Sequence, residues 1–312
     1  MKTSPMTGKD VAAALGVVII WGLNFVAMKL ALVDFTPMQL GAARYLFAAL
    51  PMVLVVRRPD VPWIRLLLYG LIQGVGQFGL LFMALRLGMT AALASVLMQT
   101  QVFFTALLAY VLLNEKLSKP LLGGLLFAAM GLVCFLMNFT ELGLLESTGI
   151  TLAGFVLNLG AAAMWGCSNI AIKQLQRVSP HYNALQFVVW ASLVPIVPFL
   201  MLSWWLDPSA ARSNWIGASW TAWLGAAYLG WFATAAAYAM WTGLLKRHPA
   251  TRVAPFSLGV PVVGLLAGTI VLDERLTGWQ AVGILFILAS LLYVLFGSRI
   301  AIMRSNIVRH EQ

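Results

Sequence analysis

The chain has 312 residues, 61% of them hydrophobic and only 10% charged, and the charges avoid apolar runs longer than any soluble core helix needs. This composition excludes a soluble globular domain and points to an integral membrane protein. The net charge of +10 is not the footprint of a nucleic-acid binder, because Lys and Arg lie in short linkers between apolar runs rather than on one folded face.

The apolar runs are continuous, as helices of roughly 20 residues require, and lack the short alternating segments of a membrane barrel. In chain order they predict ten spans, at about 11–33, 37–56, 65–85, 90–112, 120–138, 149–175, 183–206, 218–245, 251–272 and 279–297. The first run follows Lys9 and Asp10, exceeds the roughly 7 to 15 residues of a signal-peptide core and has no small-residue cleavage site, so it reads as a retained span. Pro37, Pro120 and Pro180 stand at or just before helix starts, where a missing N–H costs nothing. Pro51, Pro195, Pro198, Pro255 and Pro261 fall within spans and predict kinks or local unwinding. Cys134 and Cys167 lie inside spans with no metal-ligand spacing and read as buried thiols.

With a cytoplasmic N-terminus, fourteen basic residues fall on the inner side, from Lys2 and Lys9 through Arg57, Arg58 and Lys246 to Arg309. Only Arg86, Arg212 and Arg275 fall on the outer side. That bias predicts cytoplasmic termini at both ends and an even number of spans.

The two halves resemble each other. Trp21, Gly22 and Lys29 in WGLNFVAMK recur 144 positions later as Trp165, Gly166 and Lys173 in WGCSNIAIK. NEKLSKPLLGGLLF recurs 159 positions later as DERLTGWQAVGILF, pairing Glu115 with Glu274 and Phe127 with Phe286. Five spans per half is an odd number, so the copies, residues 1–144 and 145–312, are expected in opposite orientations. The predicted class is all-α: ten transmembrane helices as two inverted five-helix repeats, an arrangement that places a substrate site between the copies.

At these segments the sequence resembles the EamA-type transporters of the drug/metabolite transporter superfamily. WGLNF, GLLFMALRLGMTAALASVLMQTQVFFTALLAYVLLNEKL, WGCSNIAIK and RVAPFSLGVPVVGLLAGTIVLDERLTG carry the resemblance, which extends over almost the whole chain. Within the superfamily, the order and spacing are most similar to those of exporters of O-acetylserine and cysteine. The resemblance implies ten helices in a bacterial inner membrane and secondary-type efflux of small metabolites by alternating access. The same scaffold carries other amino acids, purines or drugs, and these remain the alternative substrates.

Enzyme chemistry finds no support. His181, His248 and His310 lie in predicted loops or the tail, the ten acidic residues lie at span ends, in loops or near the termini, and no zinc or nucleotide motif is present. No catalytic residue, metal or cofactor is expected, and a membrane enzyme or scaffold would need longer loops than the dozen or so residues here. The expected partners are a small-molecule substrate and the lipid bilayer, without nucleic acid; the oligomeric state is left open. Proton exchange through a mid-membrane carboxylate is likewise not expected.

Candidate substrate contacts are the polar groups at depth. Gln73 and Gln77 share a helix face; Gln99 and Gln101 are two apart, so at most one faces a common cavity. Asn24 and Asn169 follow Trp21 and Trp165, and Trp231, Thr234, Tyr238 and Trp241 form a stripe at helical spacing. Such amides supply both donors and acceptors to a zwitterion, and interhelical hydrogen bonding is their alternative use. Lys29, Arg44 and Lys173 are the intramembrane cations: the two lysines are placed to snorkel or touch substrate, and Arg44 to bind a carboxylate, pack helices or meet a lipid phosphate. Trp204, Trp205, Trp215 and Trp220 read as interfacial belt residues. Gly70 with Gly74 and Gly264 with Gly268 predict close helix packing.

Overall fold

The computed structural model describes residues 6–115, 117, 119–140, 151–248 and 253–310, and these contain helices and turns but no strand. The helices are α1 (Gly8–Ala31), α2 (Pro37–Val55), α3 (Trp63–Arg86), α4 (Ala91–Leu113), α5 (Lys119–Thr140), α6 (Leu152–Val178), α7 (Ala184–Leu206), α8 (220–247), α9 (Phe256–Val271) and α10 (Gly278–His310). Among the described residues, seven helices are long and apolar enough to cross a membrane, and Phe256–Val271 and Gly278–Val294 are shorter apolar helices. α8 falls outside both groups, its apolar character diluted by residues such as Trp220, Thr221 and Thr234.

Helix starts are written locally. Thr7 with Asp10 and Thr36 with Gln39 form capping boxes, and Thr277 with Gln280 makes the same two reciprocal bonds ahead of α10. Thr90, Thr151, Asn183 and Ser219 each accept a first-turn N–H. α2 is interrupted at Leu50–Pro51, a cis peptide, and α7 between Ala191 and Ile196, ahead of which stands Pro195. Pro198 and Pro261 add no break of their own. Each is the third residue of a helical segment, Ile196–Leu206 and Gly259–Val271, where an N–H has no intrahelical partner to lose.

Beside short 3-10 turns at Met98–Thr100 and Ala254–Leu258, two longer stretches depart from the regular helices expected. Gly70–Phe78 in α3 and Tyr228–Ala236 in α8 are π-helical, nine residues each, with i→i+5 bonding. α3 and α8 are the third helices of their halves.

The packing is paired across the halves. α1 lies against α8 and α9, as α6 lies against α3 and α4; α2 packs on α7, α4 on α9, and α5 on α10. Glycine permits the closest approaches. A Cβ on Gly22 would fall 2.5 Å from Val263 Cβ, and one on Gly166 2.9 Å from Phe104 Cβ and 3.0 Å from the Thr105 nitrogen. Gly74 meets Pro195, and Gly264 meets Ser95, so both predicted glycine pairs do sit at helix contacts.

One end of the bundle is closed by its connections. Thr36 Oγ1 donates to Asp207 Oδ2 at 2.6 Å, Gln39 Nε2 to Ala211 O at 2.8 Å, Asn214 Nδ2 to Asp34 O at 2.9 Å, and Arg86 Nη1 to Leu32 O at 2.9 Å. The Ser219 hydroxyl and backbone N–H, both donating to Asp34, hold its carboxyl below the usual range. Phe35, Phe82, Leu85 and Met89 are buried just behind. Trp215 belongs to this plug, its ring tilted against those of Phe35 and Trp223, and not to the belt; Trp204, Trp205 and Trp220 are exposed as belt residues are. At the opposite end Asp10 accepts from Arg247 at 2.9 Å and faces His248 at 3.0 Å, and Lys173 pairs with Glu115 at 2.8 Å.

Candidate functional site: a polar cavity between the two halves

Both π stretches and the central parts of α1, α4 and α6 converge on one cavity. Its larger lobe, about 540 Å3 of empty space including the mouth, is lined by Trp21, Asn24 and Phe25 from α1, Arg44 from α2, Gln73, Gln77 and Phe78 from α3, Ser95, Met98 and Gln99 from α4, Trp165 from α6, Tyr238 from α8 and Val260 from α9. A smaller lobe shares Arg44, Gln73, Phe78 and Tyr238 and runs past Tyr69 and Gly70 to Val188 and Ser192 of α7. Helices from both halves therefore furnish the walls.

The polar groups are held by identifiable bonds. Arg44, 3% exposed, donates from Nη1 to Asn24 Oδ1 at 3.3 Å and from Nη2 to Thr234 Oγ1 at 3.2 Å, with its guanidinium 3.7 Å from the Phe78 ring centre. Ser168 donates to Gln73 Oε1. Gln99 Nε2 reaches Ser257 O at 3.3 Å, and Ser95 Oγ donates to Ala92 O at 2.7 Å. Trp21 Nε1 donates to Ala233 O at 3.0 Å, fixing an indole whose ring meets Tyr238 and Trp241 at 5.5 Å. Among the described residues that line it, none is a carboxylate.

Of the residues selected from sequence, Trp21, Asn24, Arg44, Gln73, Gln77, Gln99, Trp165 and Tyr238 come together here. Gln101 and Asn169 do not line the cavity: Asn169 Nδ2 donates to Gln101 Oε1 at 2.8 Å and to Thr105 Oγ1 at 3.0 Å, an α6–α4 bridge. Trp241 backs Trp21 without lining either lobe. The stripe from Trp231 to Trp241 is not one face, because the π stretch changes the angle per residue; Trp231 points outward, 43% exposed, and donates to Leu50 O at 3.0 Å. Lys29 and Lys173 lie at opposite ends of the bundle, Lys29 donating to Leu85 O and Met89 O, both at 2.9 Å.

Ser95, Phe78 and the Gln73 partner Ser168 were not singled out in the sequence. Ser168 had a signal: it stands 144 positions after Asn24, so it, and not Asn169, is the repeat counterpart of Asn24.

The family model for EamA-like transporters matches twice, over residues 9–137 and 152–296. The chain belongs to the EamA-like transporter family. As an EamA-like transporter it is a multi-pass bacterial inner-membrane protein and not an enzyme. It is 40% identical over 296 residues, 95% of its length and 97% of the relative's, to a probable amino-acid metabolite efflux pump of Salmonella typhimurium. It is 39% identical, over 94% of its length and 97% of the relative's, to a probable amino-acid metabolite efflux pump of Escherichia coli. A solved crystal structure shares the fold at a TM-score of 0.61 and 17% identity, covering 94% of this EamA-like transporter and 99% of that chain.

Proposed function

We propose that this protein exports small amino-acid metabolites, with cysteine and O-acetylserine the first candidates, by alternating access of two inverted five-helix repeats, residues 1–144 and 145–312, with both termini cytoplasmic. The observation that carries the reading is a polar cavity whose walls come from helices of both halves, α1, α3 and α4 facing α6, α8 and α9. A carrier needs its site where two movable bodies meet, so that rocking one against the other exposes the site first to one side and then to the other. The double family match and the cross-half pairing of helices support the repeat, and two relatives named as probable amino-acid metabolite efflux pumps support the substrate class.

In this reading the end closed by the 32–36, 87–90 and 207–219 connections is the periplasmic gate. The smaller lobe, running toward the start of α7, leads to the cytoplasm. Trp21, Trp165, Tyr238 and Phe78 give the cavity apolar faces, which favours substrates that pair a charged backbone with a modest side chain.

The test is flux in proteoliposomes loaded with labelled cysteine or O-acetylserine, with and without an imposed pH gradient. Efflux above protein-free vesicles is expected. Leucine, phenylalanine, a purine and a cationic dye serve as comparison substrates, and transport confined to the last two would overturn the amino-acid reading.

A further inference from the structure

We infer that Arg44 is the anchor for a substrate carboxylate, so that the carrier requires an α-carboxylate on what it moves, while Gln77 accepts from the substrate's ammonium. The inference rests on the reading of the cavity as a transport site and goes beyond it by naming the group that must be bound.

The argument starts from charge. Arg44 is 3% exposed, and among the described residues no carboxylate lies within ion-pairing distance of it. Buried charges in proteins are paired, and an arginine does not escape the cost by losing its proton. Its contacts are neutral: Asn24, Thr234 and the ring of Phe78. A guanidinium carries five N–H donors, of which Asn24 and Thr234 take two, and Nε has no partner at all. The donors left over fit a carboxylate, whose two oxygens match the planar fork. Phe78 lies 3.7 Å over one face of the guanidinium and Asn24 and Thr234 hold its Nη edge, so the fork is oriented before anything binds.

The complement is in the same lobe. Gln77, 3% exposed, also lines it and presents a buried Oε1 without a hydrogen-bond partner. A donor-rich cation and an orphaned acceptor in one cavity are the two halves of a zwitterion's recognition. An anionic metabolite without an amine would satisfy only the first.

The experiment uses the purified full-length protein and two readouts, thermal stabilisation in detergent and counterflow in proteoliposomes. The probes are cysteine, O-acetylserine, leucine and phenylalanine, each beside its carboxamide, together with chloride and inorganic phosphate. At least one acid should stabilise the wild type, and its carboxamide should bind about ten- to a hundred-fold more weakly, the range for loss of one charge-assisted bond. Arg44→Gln should bind acid and carboxamide equally weakly, and Arg44→Lys should keep the preference for the acid at reduced affinity. The acid-versus-carboxamide comparison on the wild type decides the matter even if both variants misfold. Equal binding of acid and carboxamide, no binding by any acid, or stabilisation by chloride or phosphate as strong as by the acids would overturn the inference. Acids that bind with the stated preference but are never transported would leave Arg44's role standing and remove the export reading instead.

Discussion

Lys29 and Lys173 occupy matching positions 144 residues apart, yet the first is held by two backbone carbonyls, Leu85 and Met89 at 2.9 Å each, and the second by the Glu115 carboxylate at 2.8 Å. Leu85 lies in the last turn of α3, where carbonyls lack intrahelical partners and a cation complements the helix dipole. Lys29→Met therefore strands two acceptors at a packed helix end and should cost about 1 to 3 kcal/mol. Lys173→Met breaks a pair whose side chains are 40% and 45% exposed, and should cost less than about 1 kcal/mol. Unfolding in detergent, followed by tryptophan fluorescence, compares the two, and equal losses would contradict the assignment.

The glutamates matched across the halves divide in the same way. Glu274 accepts from the Ala91 and Ala92 N–H groups at 2.7 and 2.8 Å, capping α4 from a distant part of the chain, whereas among the described residues Glu115 is bonded through its side chain to Lys173. Glu274→Ala should lower stability by about 1.5 to 3 kcal/mol, the worth of a hydrogen bond to a charged group, and Glu115→Ala by less than about 1. A scan of melting temperatures at fixed detergent concentration reads this order directly.

Asn24 and Gln77 line the cavity, while Gln101 and Asn169 bond to each other. Asn24→Ala and Gln77→Ala are expected to reduce transport per folded molecule about tenfold, the effect of about one lost hydrogen bond. Gln101→Ala should instead cost about 0.6 to 2 kcal/mol of stability while its folded fraction transports normally. Wild-type flux per folded molecule in both cavity variants would move the binding site elsewhere.

At Gly166 an added methyl would face the Phe104 Cβ at 2.9 Å, the Thr105 nitrogen at 3.0 Å and the Phe104 carbonyl carbon at 3.1 Å, so mostly backbone would have to yield. Gly166→Ala should force α6 away from α4 and cost about 1 to 3 kcal/mol. Gly16→Ala, with nothing within 4 Å, is the control and should be neutral or slightly stabilising. Folded yield by fluorescence-detected gel filtration separates them.

Topology is open to a direct check. Reporter fusions after Gln312 and within the segment Glu141–Glu146 should report cytoplasm and periplasm respectively, as the excess of basic residues on one side requires. Two fusions on the same side would sink the inverted repeat.

The spans could be read from sequence because apolar length and charge placement are one-dimensional properties. The cavity was legible in part for a related reason: an amide at depth, such as Gln73 or Gln77, is costly enough that it must face either a partner or a ligand. Which of the two it faces depends on its neighbours in space. Gln101 and Asn169 look like Gln73 and Asn24 on paper, and only the α4–α6 contact reveals that they satisfy each other. Arg44 could be picked out as a cation at depth, but that no carboxylate among the described residues neighbours it is a three-dimensional fact. Trp231 was misplaced by assuming 3.6 residues per turn through a stretch that does not keep it.

The π stretches at Gly70–Phe78 and Tyr228–Ala236 also give the third helix of each half slack. Every turn bonded i→i+5 holds one residue more than an α turn, so removing a residue there lets the ladder close as ordinary helix, and a single-residue deletion is an operation the backbone can absorb. A deletion in the ordinary α-helical parts would instead turn all that follows by about 100° relative to what precedes it. In α8 a deletion within Trp220–Ala227 would swing Tyr238 out of the cavity, whereas one within Tyr228–Ala236 is absorbed by the closing turns. The walls of the chamber are thus set by the counting of residues along two helices as much as by which residues they are, and a deletion outside the π stretches would remodel the chamber more than one inside them.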